Sequence, residues 1–210
     1  YIATIFVELA ADGTVFQTLK VFGIVLLLAI IMHWVWITLL YFTAGAATGR
    51  NPFSLIKVML PAYFTGLGTM SSAATIPVTV RQAKRNQVSE PIADAAVPLC
   101  ATIHLSGSTI TLTTCAVAVM LLTQGLSLPP FGLMMQFILL LGVIMIAAPG
   151  VPGGAVFAAL GILSTTLGFQ ETALGLMIAL YTTQDSFGTA TNVTGDGAIA
   201  LLVDKIMARR

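Results

Sequence analysis

The chain has 210 residues, of which 57% are hydrophobic and only 8% charged, with mean hydropathy +0.98 and net charge +1. Soluble domains carry about 25% charged residues, so nine basic and eight acidic side chains are too few to cover a water-facing surface. Composition excludes a soluble globular protein and a disordered one, gives no basis for nucleic acid as a partner, and leaves an integral membrane protein.

In chain order, residues 1–11 are apolar apart from Glu8. No positively charged start and no small-residue cleavage site are seen, so no signal peptide is expected. The expected element is the end of a preceding transmembrane helix, with the chain as the C-terminal portion of something larger. A transmembrane helix follows over 14–49. It rests on the charge-free run Val21 to Gly49, long enough for a hydrocarbon core of about 30 Å. Trp34, Trp36 and Tyr41 lie in its second half, and Arg50, Asn51 and Pro52 end it with a helix-start signal. His33, a lone histidine in apolar sequence, reads first as a satisfied interhelical contact.

Residues 51–90 hold the charge-free run Val58 to Val80, flanked by Arg50 and Lys57 before it and by Arg81, Lys84 and Arg85 after it. Basic residues of short loops concentrate on the cytoplasmic side. Both ends therefore want the same side, and the expected element is a re-entrant hairpin. Its middle contains Gly66, Gly68 and the run Ser71 to Pro77. Non-helical backbone at membrane depth persists only where it is buried in protein or lines a wet cavity, which makes this hydroxyl-rich tip a site candidate. A kinked single helix is the alternative that the charge pattern leaves open.

From Ala95 to Gln170 there is no formal charge, too long a run for one span. A break at Gln124 to Gly132, with two prolines and no Lys or Arg, reads as an extracytoplasmic loop after a transmembrane helix at 93–123. A second break, Ala148 to Gly154 (APGVPGG), is expected to be the tip of a second re-entrant hairpin at 131–168, entering from the opposite side. The last transmembrane helix, 172–207, runs into Asp204, Lys205, Arg209 and Arg210, a cytoplasmic C-terminus. Eight of the nine Lys and Arg fall on that side, with Lys20 opposite. Cys100 and Cys115 lie in apolar segments and are not expected to pair. The fold expected is all-α and multi-pass in the cell (inner) membrane, an inverted repeat of re-entrant hairpin plus transmembrane helix. Such repeats are a signature of secondary transporters, which hold substrate and coupling ion where the tips converge.

Two clusters carry chemistry. Asp185 and Asp196 lie inside the last apolar segment, where a carboxylate costs about 2.5 to 3.5 kcal/mol at a helix centre. They are about three turns apart, on one face with Thr189 and Asn192 between them. The alternative is an aspartate that merely snorkels to an interface. The second cluster is Thr102 to Thr109, where Gly107 would let the helix unwind and turn carbonyl oxygens towards a hard cation. The alternative is Ser and Thr bonding back to their own helix. An intramembrane hydrolase using Ser106 or Ser108 with His104 fits poorly, because residues two apart point to different sides of a helix. A passive channel accounts less well for two buried carboxylates between opposed tips.

The segments SSAATIP (71–77), LCATIHLSGST (99–109), APGVPGG (148–154) and QDSFGTATNVTGD (184–196) resemble, in order and spacing, the dicarboxylate/amino acid:cation symporters. These are the glutamate-transporter-like proteins, including archaeal aspartate transporters and the bacterial serine/threonine symporter. The resemblance spans essentially the whole chain. It implies that Val21 to Gly49 is a sixth transmembrane helix, followed by two re-entrant hairpins and helices seven and eight. It also implies a non-enzymatic, elevator-type symporter driven by Na+, with no organic cofactor, surrounded by membrane lipid and forming a homotrimer in the full-length protein. By motif, Ser71, Ser72 and the tip Gly150, Val151, Pro152, Gly153 resemble the two gates around a small amino acid substrate. Asp185 matches the residue that holds its amino group, Asn192 the one that binds its carboxylate, and Ser108 and Thr189 further substrate contacts. Asp196, with Asn192, Cys100, His104, Thr102 and Ser106, matches the sodium-binding region.

Departures from the family pattern narrow the expectation. Gly188 and Met70 stand where acidic-substrate members place an arginine. Between Val58 and Asp204 the basic side chains are Arg81, Lys84 and Arg85, all in the expected cytoplasmic loop. A substrate side-chain carboxylate would be buried unpaired at prohibitive cost. The expected substrate is a small neutral amino acid such as serine, threonine or alanine; the alternative is a dicarboxylate or acidic amino acid. The family's Asn-Met-Asp-Gly-Thr motif reads His104, Leu105, Ser106, Gly107, Ser108 here. Loss of its aspartate predicts fewer bound sodium ions, with proton coupling through His104 as the alternative.

Overall fold

A computed structural model describes Val7 and residues 15–208. The expected end of a preceding span at residues 1–11 lies, but for Val7, outside the described residues. From Val15 onward the described chain forms eight helices and no strand. Among the described residues, two stretches are long and apolar enough to cross a membrane, Thr18–Thr48 and Glu90–Leu122.

α1 (Val15–Thr48) buries His33, Ile37, Tyr41 and Ala44 along one face and leaves Leu28, Ile31, Val35, Leu39 and Phe42 exposed along the other. Asn51 then starts α2 (Pro52–Thr69): its side-chain oxygen accepts from the N–H groups of Phe53 (2.9 Å) and Ser54 (3.4 Å), with Pro52 at the first helical position. α2 stops at Met70, which takes left-handed angles (φ 52°, ψ 23°). Ser71 at once starts α3 (Ser72–Arg85), its Oγ accepting from the Ala74 N–H at 3.2 Å. The whole reversal takes two residues. At the far end Asn86 Nδ2 donates to Leu55 O at 3.0 Å, and the Arg50 guanidinium donates to Asn86 O. A single kinked helix could not bring residues 50–55 and 86 together, so α2 and α3 form a helical hairpin. Beyond it Lys84 pairs with Glu90 and Asp94, each at 2.9 Å. Asp94 first, then Glu90, holds the Lys84 ammonium above its usual pKa.

α4 (Glu90–Ile103) and α5 (Ser106–Leu122) are one helix interrupted at His104 and Leu105. The unwinding expected at Gly107 therefore falls earlier, and Gly107 sits in the first turn of α5. Its lack of a side chain serves close approach instead: a Cβ there would lie 2.3 Å from Gly188 O and 2.6 Å from Thr191 Cβ. α6 (Phe131–Met145) and α7 (Gly154–Leu167) pack together, joined by residues 146–153 with Gly153 at φ 74°. α8 (Glu171–Met207) follows.

α8 organises the molecule. Its first part, Ala173 to Tyr181, packs into an apolar cluster with α5, α6 and α7. Its later part, Ala190 to Leu201, packs into a second cluster with α1 to α4. Every residue from Gly188 to Ala198 is buried. Small residues permit this: a Cβ on Gly197 would stand 2.6 Å from Met59 Cε and 2.8 Å from Tyr41 Oη. Close backbone approach of this kind drives helix association where lipid removes the hydrophobic incentive. The polar stripe of α8 lies at the junction of the two clusters.

Candidate functional site

The tips of the two hairpins touch at one carbonyl. Gly150 O accepts from Ser71 Oγ at 2.7 Å and from the Ala73 N–H at 3.2 Å. Glycine is required there, since a Cβ would lie 2.8 Å from Ala101 O. Beneath the contact is a cavity of about 10 Å³ lined by Ser72, Ser108, Gly150, Val151, Asp185, Thr189 and Asn192, with Tyr181 and the apolar Met70, Leu105, Pro149 and Ala155. That is room for about one water, far less than an amino acid, so the tips are shut. No Lys or Arg is among the lining residues.

Asp185, Thr189, Asn192 and Asp196 are all buried, each 4% exposed or less, which removes the snorkelling alternative. Asp185 Oδ2 accepts from the Gly153 N–H at 2.7 Å, and its Oδ1 from Tyr181 Oη at 2.9 Å. Asn192 closes a gap that α5 leaves open. Leu105 supplies no side-chain cap, and the first N–H groups of a helix have no partner within it. Asn192 Oδ1 takes over, accepting from Gly107 N (2.7 Å) and Ser108 N (3.4 Å), while its Nδ2 donates to Ser108 Oγ at 2.9 Å. One side chain of α8 thus fixes the break between α4 and α5.

One turn on, Asp196 Oδ1 is hydrogen-bonded to His104 Nδ1 at 2.8 Å. Its Oδ2 is buried with no protein partner, and so is Ser106 Oγ. Cys100 is buried, and its carbonyl accepts from the His104 N–H at 2.8 Å. Thr102 is not brought to this group: it is exposed, its hydroxyl donating to Leu99 O at 2.8 Å. Pro152 is exposed. His33 makes the interhelical contact expected of it, with Nε2 3.0 Å from Gly107 O and 3.1 Å from Thr111 Oγ1. Among the described residues no three His, Cys, Asp or Glu side chains gather as a transition-metal site would require.

This arrangement sits in a sequence that matches, over residues 1–206, the family model described as the sodium:dicarboxylate symporter family. The chain belongs to that family. Relatives of this symporter chain include excitatory amino acid transporter 1 of Ambystoma tigrinum, 29% identical over 95% of the chain and 36% of the relative. Excitatory amino acid transporter 3 of Mus musculus is 31% identical over 93% of the chain and 36% of its own length. The serine/threonine transporter SstT of Acinetobacter baylyi is 30% identical over 74% and 40%. The chain thus spans little more than a third of the length of the relatives it matches. These are transporters, in a family of sodium symporters and not of enzymes.

Sequence reasoning missed one residue of this site, Tyr181, and two pairings, those of Gly153 and Asn192. Tyr181 is one turn before Asp185 on the same face, a spacing that could have flagged it, but an aromatic in an apolar helix reads as core. The Gly153 N–H has no side chain to advertise it. The capping role of Asn192 depends on a helix end more than eighty residues earlier in the chain.

Proposed function

We propose that the protein is a sodium-coupled symporter of small neutral amino acids, the class of serine, threonine and alanine. The observation that carries the substrate reading is the cavity beneath the touching tips: carboxylate, amide and hydroxyl groups converge there without Lys or Arg. Asp185 offers a negative charge for a substrate ammonium. Asn192, Ser108 and the N–H groups at the start of α5 offer donors for its carboxylate. A second carboxylate on the substrate would have no cation to pair with. The serine/threonine relative supports this reading, and the excitatory amino acid transporters keep an acidic substrate as the alternative.

Sodium, the driving ion, is assigned to the group around Asp196. Its buried Oδ2 and Ser106 Oγ are oxygens without protein partners, the donor type that hard cations take. Backbone oxygens around Cys100, His104 and Asn192 complete the set. Imidazole nitrogen suits a hard cation poorly, so His104 serves through its carbonyl while its ring holds Asp196 Oδ1. The two helical hairpins enter the cell membrane from opposite faces, with the C-terminus cytoplasmic. The sorting of Lys and Arg and the exposed apolar face of α1 support that placement. Because the tips are shut over the cavity, one of them parts to admit substrate, and the hairpin-bearing unit then carries it across as an elevator.

Uptake of labelled serine into proteoliposomes made with the full-length protein tests the reading. Accumulation that collapses without a sodium gradient, and that excess alanine but not glutamate inhibits, is the expected result. Equal inhibition by glutamate overturns the neutral-substrate assignment. Accumulation driven by a proton gradient alone overturns the sodium one.

A further inference from the structure

The carboxylate of Asp185 has two partners of different permanence. Tyr181 stands one turn earlier on α8 and is fully buried, its Oη donating to Oδ1 at 2.9 Å. Gly153 belongs to the tip between α6 and α7, its N–H donating to Oδ2 at 2.7 Å. A donor on the same helix keeps its place when the tips part, and a donor on the tip does not. An ammonium group that reaches Asp185 therefore exchanges with the Gly153 N–H at Oδ2, while Tyr181 continues to hold Oδ1. Tyr181 also lines the cavity, and it is the bulkiest of the lining side chains. It takes up space that a longer substrate side chain would need.

We propose that Tyr181 is a specificity-determining residue: its hydroxyl presents Oδ2 of Asp185 to the substrate ammonium, and its ring limits the side chain that the cavity accepts. The proposal rests on the neutral amino acid reading above and adds to it a residue that sets substrate size.

The test is calorimetric binding of serine and of methionine to the purified full-length protein in saturating sodium, with melting temperature as the folding control. Y181F keeps the ring and removes the hydroxyl. It should weaken serine about tenfold, as loss of a hydrogen bond to a charged group does, and leave the methionine-to-serine ratio of affinities unchanged. Y181L, or Y181M should Y181L not fold, should raise that ratio at least tenfold, in line with the discrimination that small differences in apolar volume provide. A general packing defect would weaken both ligands alike and leave the ratio where it was. Unaltered serine binding in Y181F overturns the role of the hydroxyl, and an unaltered ratio in the smaller variant overturns the role of the ring. A wild-type protein that binds neither amino acid overturns the site reading and this inference with it. Wild-type binding of serine with both variants indistinguishable from it overturns this inference alone.

Discussion

The two tips that meet above Asp185 are built in opposite ways. The first turns in two residues, Met70 and Ser71, and reaches its neighbour through a side-chain hydroxyl that also caps α3. Behind it Ser72, Thr75 and Thr79 are buried, and the far end of its hairpin is tied by Asn51, Asn86 and the guanidinium of Arg50. The second takes eight residues, 146–153, rich in Gly and Pro, and offers bare backbone: Gly150 O and the Gly153 N–H. Ile146, Ala147, Pro149, Val151 and Pro152 are exposed, and the hairpin from 131 to 168 contains no charged residue. Withdrawing the second tip breaks a few exchangeable hydrogen bonds. Withdrawing the first would expose the hydroxyls buried behind it. On the proposed symporter reading, this difference is a division of labour, with the first tip as a wall and the second as a door.

The largest expected effect is at the group the door closes on. Asp185→Asn keeps the shape and removes the charge, and serine binding measured by calorimetry should weaken at least about a hundredfold, in the range for breaking a buried charge pair. A loss of less than about fivefold would mean that substrate and door do not exchange at this carboxylate. Next is Gly150→Ala, whose Cβ would press on Ala101 O. Serine affinity should fall about tenfold, a cost typical of overpacking at a close contact, and amide exchange across 146–153 should accelerate. Ser71→Ala is expected to cost about 1 kcal/mol through the lost cap, with faster exchange at Ala74 and a severalfold weaker serine affinity. In the unaltered protein the amides of 150–153 should exchange faster than those of 71–74, since opening free energy follows local burial; the reverse order would exchange wall and door. Smallest is Lys84→Ala, an exposed ion pair, for which neither melting temperature nor uptake should change measurably.

Much of this was legible in the residues. The charge-free runs located the long helices, and Ser71 with its run of small hydroxyl residues marked a tip. The spacing of Asp185, Thr189, Asn192 and Asp196 put four polar groups on one face, and all four are buried. What sequence misplaced was the break between α4 and α5, expected at Gly107 and found at His104 and Leu105. Glycine permits either unwinding or close approach, and only the presence of Gly188 and Thr191 against it decides for approach. Thr102, which the resemblance implies for the sodium-binding region, has an exposed side chain.

Scarcity and sorting of charge determined by themselves that the chain is apolar and which aspartates have no escape to water, and clusters of Gly, Pro and Ser marked where it turns. The tertiary structure decided pairings: Tyr181 and Gly153 on the two oxygens of Asp185, Asn192 on the open end of α5, His104 on one oxygen of Asp196. Apart from Tyr181, which shares α8 with Asp185, those partners come from separate elements, and a hydrogen bond between elements depends on distance in space, which helical periodicity within one segment does not contain.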